Sequence, residues 1–287
     1  MKKWVFWLVL LLLLGYEAIQ QKSEVPNEDQ GKADPVAQEV TSQKKDLTVK
    51  VERDQIYQGN LILVNKEYPI HQLGIKSDVV KLAQHKELVK GYGLLDNTIR
   101  LSQSVAQTFS TMIQAAEKDG VRHFLISSGY RDTKEQSQLY KEIGADYALP
   151  AGYSEHNLGL SLDIGSSQME MNQAPEGKWL EKHAWKYGFI LRYPKDKTAI
   201  TGIQYEPWHF RYVGLPHSVI MQQKNLSLEQ YLDFLKEKKT ISTTVDGKKY
   251  EISYYPISKN TTLLVPSNSR FEVSGNNMDG VIVTVIP

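Results

Sequence analysis

The sharpest apolar pattern in the chain is Leu101, Val105, Phe109, Met112, Ile113 and Ala116. That spacing follows a helical period, and Gly120 is placed to end the helix. His123 to Ser127 then predicts a short buried strand leading into Ser128-Gly129-Tyr130-Arg131. A second helix is expected from Asp132 or Thr133, where Glu135 and Gln136 sit at capping-box spacing, to Gly144. Ala145 to Glu155, with Pro150 and Gly152, predicts a loop. Next, Leu160, Leu162 and Ile164 alternate with Ser161 and Asp163, which predicts a strand with one apolar and one polar face. A helix over Lys178 to Tyr187, closed by Gly188, precedes strands at Phe189 to Tyr193 and Glu206 to Tyr212. Two more helices follow, the second running from Ser227, where Gln230 completes a capping box, to about Lys238.

After Lys239 the period changes. Thr240 to Pro287 is rich in β-branched and aromatic residues, with turn signals at Asp246-Gly247 and Ser274-Gly275-Asn276-Asn277. The pattern predicts an α+β domain over residues 56–239 and a small β-rich region over 240–287. Ahead of them, Met1-Lys2-Lys3 and the apolar run Trp4 to Leu14 describe an export signal, shorter than the roughly 20 residues of an ordinary membrane span. No small-x-small cleavage site follows. Residues 1–20 are therefore expected to stay as a single membrane anchor with Lys2 and Lys3 on the cytoplasmic side, the folded part lying outside. Residues 21–55 contain no aromatic residue and are dominated by charged and amide side chains, which predicts a flexible tether reaching on the order of 30 Å.

Lys plus Arg (34) nearly balances Asp plus Glu (33), so no overall field draws the chain to nucleic acid. Cysteine is absent, which removes disulfides and thiolate metal sites, so any zinc site must be built from histidine and carboxylate.

Three fragments supply such a set: Ser154-Glu155-His156, Asp163 seven residues after the histidine, and Glu206-Pro207-Trp208-His209. A catalytic zinc typically takes three protein ligands and leaves its fourth position to water. His156, Asp163 and His209 make three, for one Zn2+ per chain, and Glu206 is the carboxylate placed to take a proton from the attacking water. Pro207 argues against a mid-helix setting, because proline there lacks a donor and clashes with the preceding turn. An extended segment is expected instead. His71, His85, His123, His183 and His217 have no such company and read as surface or helix histidines.

Ser154-x-His156-x-x-Gly159-x-x-x-Asp163 with Glu206-x-Trp208-His209 downstream resembles the zinc D,D-carboxypeptidases and dipeptidases of the LAS group. Ser128-Gly129-Tyr130-Arg131, Ala148 to Asn157 and Gly202 to His209 are similar to the VanY-type D-alanyl-D-alanine carboxypeptidases of glycopeptide-resistant bacteria. The likeness extends to the N-terminal segment, to Tyr57-Gln58-Gly59-Asn60 and to the C-terminal region. It implies a central antiparallel sheet with flanking helices, zinc on His156, Asp163 and His209, and Glu206 as general base. It further implies that Arg131 binds substrate or stabilises the oxyanion, that Gln136 and Ser154 help hold the terminal carboxylate, and that Tyr193 lines the pocket. By itself Gln136 reads equally well as a plain helix cap, and the lesser reading of Arg131 is a surface arginine at a helix start. The implied substrates are peptidoglycan stem peptides or lipid-linked precursors ending in D-Ala-D-Ala, with a part in vancomycin resistance and cell-wall remodelling. An L,D-carboxypeptidase on tetrapeptide stems, a dipeptidase on free D-Ala-D-Ala and a non-catalytic zinc-containing peptidoglycan-binding module remain as alternatives. Glu206 and Arg131 argue against the last, and the anchor and tether against the dipeptidase. The handedness of the substrate rests on the resemblance alone.

Overall fold

The computed structural model describes residues 46–145, 148–266 and 270–286. In chain order these form β1 (Asp46–Val51), β2 (Val79–Lys81), β3 (Tyr92–Leu94), β4 (Arg100–Ser102), α1 (Gln103–Lys118), β5 (Phe124–Ser128), α2 (Thr133–Ile143) and β6 (Ser161–Ser166). Then come α3 (Pro175–His183), β7 (Phe189–Leu191), α4 (Thr198–Thr201), β8 (His209–Tyr212), α5 (His217–Lys224) and α6 (Leu228–Lys238). The C-terminal part is all strand: β9 (Thr240–Val245), β10 (Lys248–Pro256), β11 (Thr261–Pro266), β12 (Arg270–Gly275) and β13 (Gly280–Ile286). The expected anchor, residues 1–20, and the tether as far as residue 45 lie outside the described residues. No helix among the described residues is long and apolar enough to cross a membrane.

A five-stranded sheet, ordered β3-β5-β6-β8-β7, carries the site. All its pairings are antiparallel except β3 with β5, which run parallel at one edge, so the expected antiparallel sheet is in fact mixed. Helix α1 covers it as its spacing requires: Val105, Ala106, Phe109, Met112, Ile113 and Ala116 are fully buried. Ser102 caps that helix by accepting the Val105 N–H, and Phe109 packs edge-on between Tyr92 and Phe189. Leu160, Leu162 and Ile164 join the same core. The capping boxes at Asp132 and Ser227 both form.

Several element boundaries differ from expectation. The helix expected over 178–187 runs from Pro175 to His183 and continues as a 3-10 turn to Tyr187, ending on Gly188 at φ 86°. The strand after it stops at Leu191, two residues before Tyr193. The tether was expected to extend to residue 55, yet Asp46–Val51 is β1, paired antiparallel with β11 from Asp46 opposite Pro266 to Val51 opposite Thr261. Its alternating Leu47, Val49 and Val51 bring Val51 to full burial against Ile56, Leu263, Val265 and Val283. Apolar alternation over six residues is enough for a strand once a distant partner satisfies its backbone.

The β-rich C-terminal residues form a four-stranded antiparallel sheet, ordered β12-β13-β10-β9. A shared core of Leu61, Leu63, Ile190, Val213, Tyr231, Leu235, Ile252 and Ile282 packs it against α6 and the site-bearing sheet. Residue 239 therefore marks a change of element type with a continuous core across it. His217 lies at this junction, 5% exposed, with Nδ1 2.8 Å from the Tyr231 hydroxyl and Nε2 3.0 Å from Thr284 Oγ1. Burial pulls its imidazole down from an ordinary 6.5 to about 3. Between those values the unfolded chain binds a proton that the folded chain refuses, so the stability due to this group is lost as pH falls. The gap in unfolding free energy between wild type and His217→Gln is expected to narrow by about 1.4 kcal/mol per pH unit on acidification through that window. Denaturant titrations at successively lower pH measure it, and a constant gap would refute the assignment.

Candidate metal centre

Sheet register assembles the centre. Asp163 on β6 lies directly opposite His209 on β8, and Ser128 at the end of β5 lies opposite Asp163. Paired residues project to the same face, so three polar side chains stand in a row. A register shift between Ile126 and Ser128 bends β5 at this row. His156 arrives from another direction, on a 3-10 turn over Glu155–Leu158 capped by the Ser154 hydroxyl and ended by Gly159 at φ 81°. A side chain at Gly159 would be strained by that left-handed backbone and would press on Val79.

The atoms converge as a ligand set should. One ligand atom from each of His156, Asp163 and His209 lies within 4.8 Å of the others. His156 Nε2 is 3.3 Å and His209 Nδ1 3.5 Å from the same oxygen, Asp163 Oδ1. His156 Nδ1 is 2.6 Å from the Gly129 carbonyl, which makes it the protonated nitrogen and leaves Nε2 as the lone-pair donor. Gly129 must be glycine there, since a Cβ would stand 2.2 Å from the Arg100 carbonyl. His156 Nε2 and Asp163 Oδ1 are both buried with no hydrogen-bond partner among the described residues. Buried polar atoms left in that state call for a further ligand, and two imidazoles with one carboxylate suit zinc.

Electrostatics agree with that donor set. Burial alone would push the Asp163 carboxyl up, but His156, His209 and Arg131 hold it well below the usual carboxylate range. Burial, reinforced by Arg131, pulls His156 down and keeps it neutral. Burial also opposes charge on His209, yet Glu155, Glu206 and Asp163 outweigh it and push the imidazole up to about 9. Cation binding has to displace that proton, so metal affinity must rise with pH.

Glu206 was expected on an extended segment. Instead, Glu206 to His209 form a tight turn, with the His209 N–H donating to the Glu206 carbonyl at 3.2 Å, and β8 begins only at His209. Pro207 excludes a helix but fits the turn. The turn brings Glu206 Oε2 to 3.2 Å from His209 Nδ1, beside the donor atoms.

The other selected residues gather around the same point. Arg131 Nη1 donates to Ser128 Oγ at 2.7 Å and lies 3.4 Å from Asp163 Oδ2, while its Nε donates to Gln136 Oε1 at 2.9 Å. Gln136 is fully buried and its Nε2 donates to the Leu149 carbonyl at 2.7 Å, so its amide orients Arg131. Ser154 Oγ accepts the His156 N–H, which leaves its own hydroxyl proton for another partner. Tyr193 meets His209 edge-on at 4.8 Å. Arg131, Gln136, Ser154, Tyr193 and Glu206 line a small recess walled by Ala148, Leu149 and Ile203. On the other side a wide cleft opens past Trp208 and along α2.

Sequence reasoning missed the support behind this site. Glu155, Arg192 and Arg211 form a buried ion cluster beside His209. The only local sign was that Ser161, on the polar face of β6, is followed two residues later by Asp163; that face is a buried polar layer.

Residues 98–215 match the family model for VanY, D-alanyl-D-alanine carboxypeptidase. A D-alanyl-D-alanine carboxypeptidase of Enterococcus faecium is 59% identical, over 100% of this chain and 97% of the relative. Among solved structures, the vancomycin resistance D,D-dipeptidase VanXYg in complex with a D-Ala-D-Ala phosphinate analogue is 32% identical with a TM-score of 0.74, covering 85% of this chain and 100% of that one. VanYB in complex with D-alanine-D-alanine is 32% identical with a TM-score of 0.50, covering 61% of this chain and 97% of that one. Likeness of that extent, joined to a zinc donor set assembled from three separate fragments, leaves one conclusion: the chain belongs to the VanY-type D-alanyl-D-alanine carboxypeptidases, zinc enzymes related to those of vancomycin resistance.

Proposed function

We propose that the chain removes the C-terminal D-Ala from peptidoglycan pentapeptide stems, or from lipid-linked precursors ending in D-Ala-D-Ala, and so contributes to glycopeptide resistance. The observation that carries this reading is a buried carboxylate, Glu206, beside three metal donors at the closed end of a cleft. A cleft closed on one side takes a chain end. The recess walled by Ala148, Leu149 and Ile203 suits a single methyl side chain, with the Ser154 hydroxyl offered to the terminal carboxylate. The rest of the stem leaves along α2.

His156, Asp163 and His209 would hold zinc, which when bound polarises a carbonyl and lowers the pKa of water towards about 7. Glu206 takes a proton from the attacking water onto a carboxylate oxygen as the new C–O bond forms at the penultimate carbonyl. It then returns that proton to the amide nitrogen as the C–N bond breaks and D-Ala leaves as an amine. Arg131, pinned by Ser128 and Gln136, stabilises the negative charge that develops on the carbonyl oxygen. Tyr193 packs against His209 and forms one wall. On the grounds of the basic start and the short apolar run, residues 1–20 hold this domain on the outer side of the membrane, where such stems lie.

The test supplies the enzyme with a pentapeptide muropeptide, its tetrapeptide and free D-Ala-D-Ala, with and without a chelator. Alanine is expected from the pentapeptide alone and none after chelation. Release from the tetrapeptide would mark an L,D-carboxypeptidase, and no release from any of them a binding module.

A further inference from the structure

Glu155 precedes a metal donor in sequence, but its carboxylate lies behind the other histidine. Its Oε1 is gripped by two arginines, with Arg192 Nε donating at 2.8 Å and Arg211 Nη1 2.8 Å away. Arg192 gives its two remaining nitrogens to Glu229 at 3.1 and 2.6 Å. Arg211 Nη2 donates to the carbonyls of Asn60 and Ile62 at 2.9 and 3.0 Å. The two glutamates and two arginines balance in charge, so the cluster needs no cation of its own. With Oε1 fixed, Oε2 has a set direction. It accepts from Ser161 Oγ at 3.2 Å and lies 3.7 Å from His209 Nε2.

That nitrogen is buried and has no hydrogen-bond partner among the described residues. A neutral imidazole carries one N–H. A proton on Nδ1 points at Glu206 Oε2, 3.2 Å away. Once Nδ1 gives its lone pair to a cation, the proton must sit on Nε2, where Glu155 is the acceptor at hand. His156 meets the same requirement with the Gly129 carbonyl at 2.6 Å. We propose that Glu155 is the positioning residue of His209. It accepts the Nε2 proton, selects the tautomer that presents Nδ1 to zinc, and is itself aimed by Arg192 and Arg211. A separation of 3.7 Å is ionic reach and not yet a hydrogen bond. The bond is expected to close once Nδ1 is committed to zinc and the one remaining proton is on Nε2. The inference rests on His209 being a zinc ligand, as proposed above.

The full chain is tested as Glu155→Gln, Glu155→Asp, Glu229→Gln and His209→Ala, reading zinc affinity by chelator competition alongside melting temperature. Glu155→Gln removes the charge, and Glu155→Asp keeps it opposite both arginines but withdraws it from His209. Both are expected to bind zinc about 10–100-fold more weakly. Glu229→Gln disturbs the same ion cluster without touching His209, so it should lower the melting temperature and keep wild-type zinc affinity. Wild-type affinity in both Glu155 variants, with zinc lost in His209→Ala, would overturn the positioning role while leaving the ligand assignment intact. Zinc retained in His209→Ala would instead sink the ligand assignment. Equal zinc loss in Glu229→Gln, or failure of both Glu155 variants to fold, would make Glu155 a structural residue and refute the proposal.

Discussion

Glu206→Gln is expected to lower kcat on a pentapeptide stem by about 10²–10⁴-fold while zinc stays bound. Glutamine keeps the shape of the side chain and loses the basic oxygen, so it separates proton transfer from metal binding. Three donors other than Glu206 already lie within 4.8 Å of one another, and a catalytic zinc needs no more. Glu206 is 4% exposed, so a neutral replacement sits in its place at no cost in charge burial. Turnover and zinc content are measured on the same preparation. Zinc lost together with activity would make Glu206 a ligand. Turnover close to wild type would place the base elsewhere.

Arg131→Ala should lower kcat/KM by about 10²–10³-fold, the usual consequence of removing a donor aimed at developing charge. The guanidinium is well placed for that role because three of its neighbours fix it at once: Ser128, Gln136 and Asp163. Burial lowers its pKa from the ordinary arginine value against the pull of Asp163, which leaves a cation poorly shielded by water at the reacting centre. Arg131→Lys keeps the charge without the planar fork, so it cannot engage Ser128 and Gln136 together and should recover only part of the loss. Zinc content and melting temperature serve as controls. Unchanged kinetics in Arg131→Ala would reduce the residue to a support for Asp163.

The donor set was legible because its chemistry is local: a histidine on a capped turn, an aspartate on the polar side of an alternating strand, and Glu-Pro-Trp-His. Helix α1 and the capping boxes at Asp132 and Ser227 were legible for the same reason. What escaped depends on pairing across the sheet. Pro207 ruled out a helix but could not choose between strand and turn, because the choice lies with β8 pairing to β6 from His209 onward. Charge in a sequence reads as surface, so Arg192 and Arg211 gave no sign of full burial; Glu155 and Glu229, brought beside them by the fold, make that burial tolerable. The parallel β3–β5 edge likewise joins residues 32 positions apart, Tyr92 with Phe124, with α1 between.

The pairing of β1 with β11 also has a timetable. Val51 leaves the ribosome about 210 residues before Thr261, its partner in the ladder. At roughly 5–20 residues per second that is on the order of 10–40 s of synthesis during which β1 has no partner strand in the nascent chain. Its unpaired backbone edge is then open to pairing with other chains. Lys50, the one lysine in this short strand, puts a charge on that edge and works against it. The strand that begins the described fold is among the last to find its place in it.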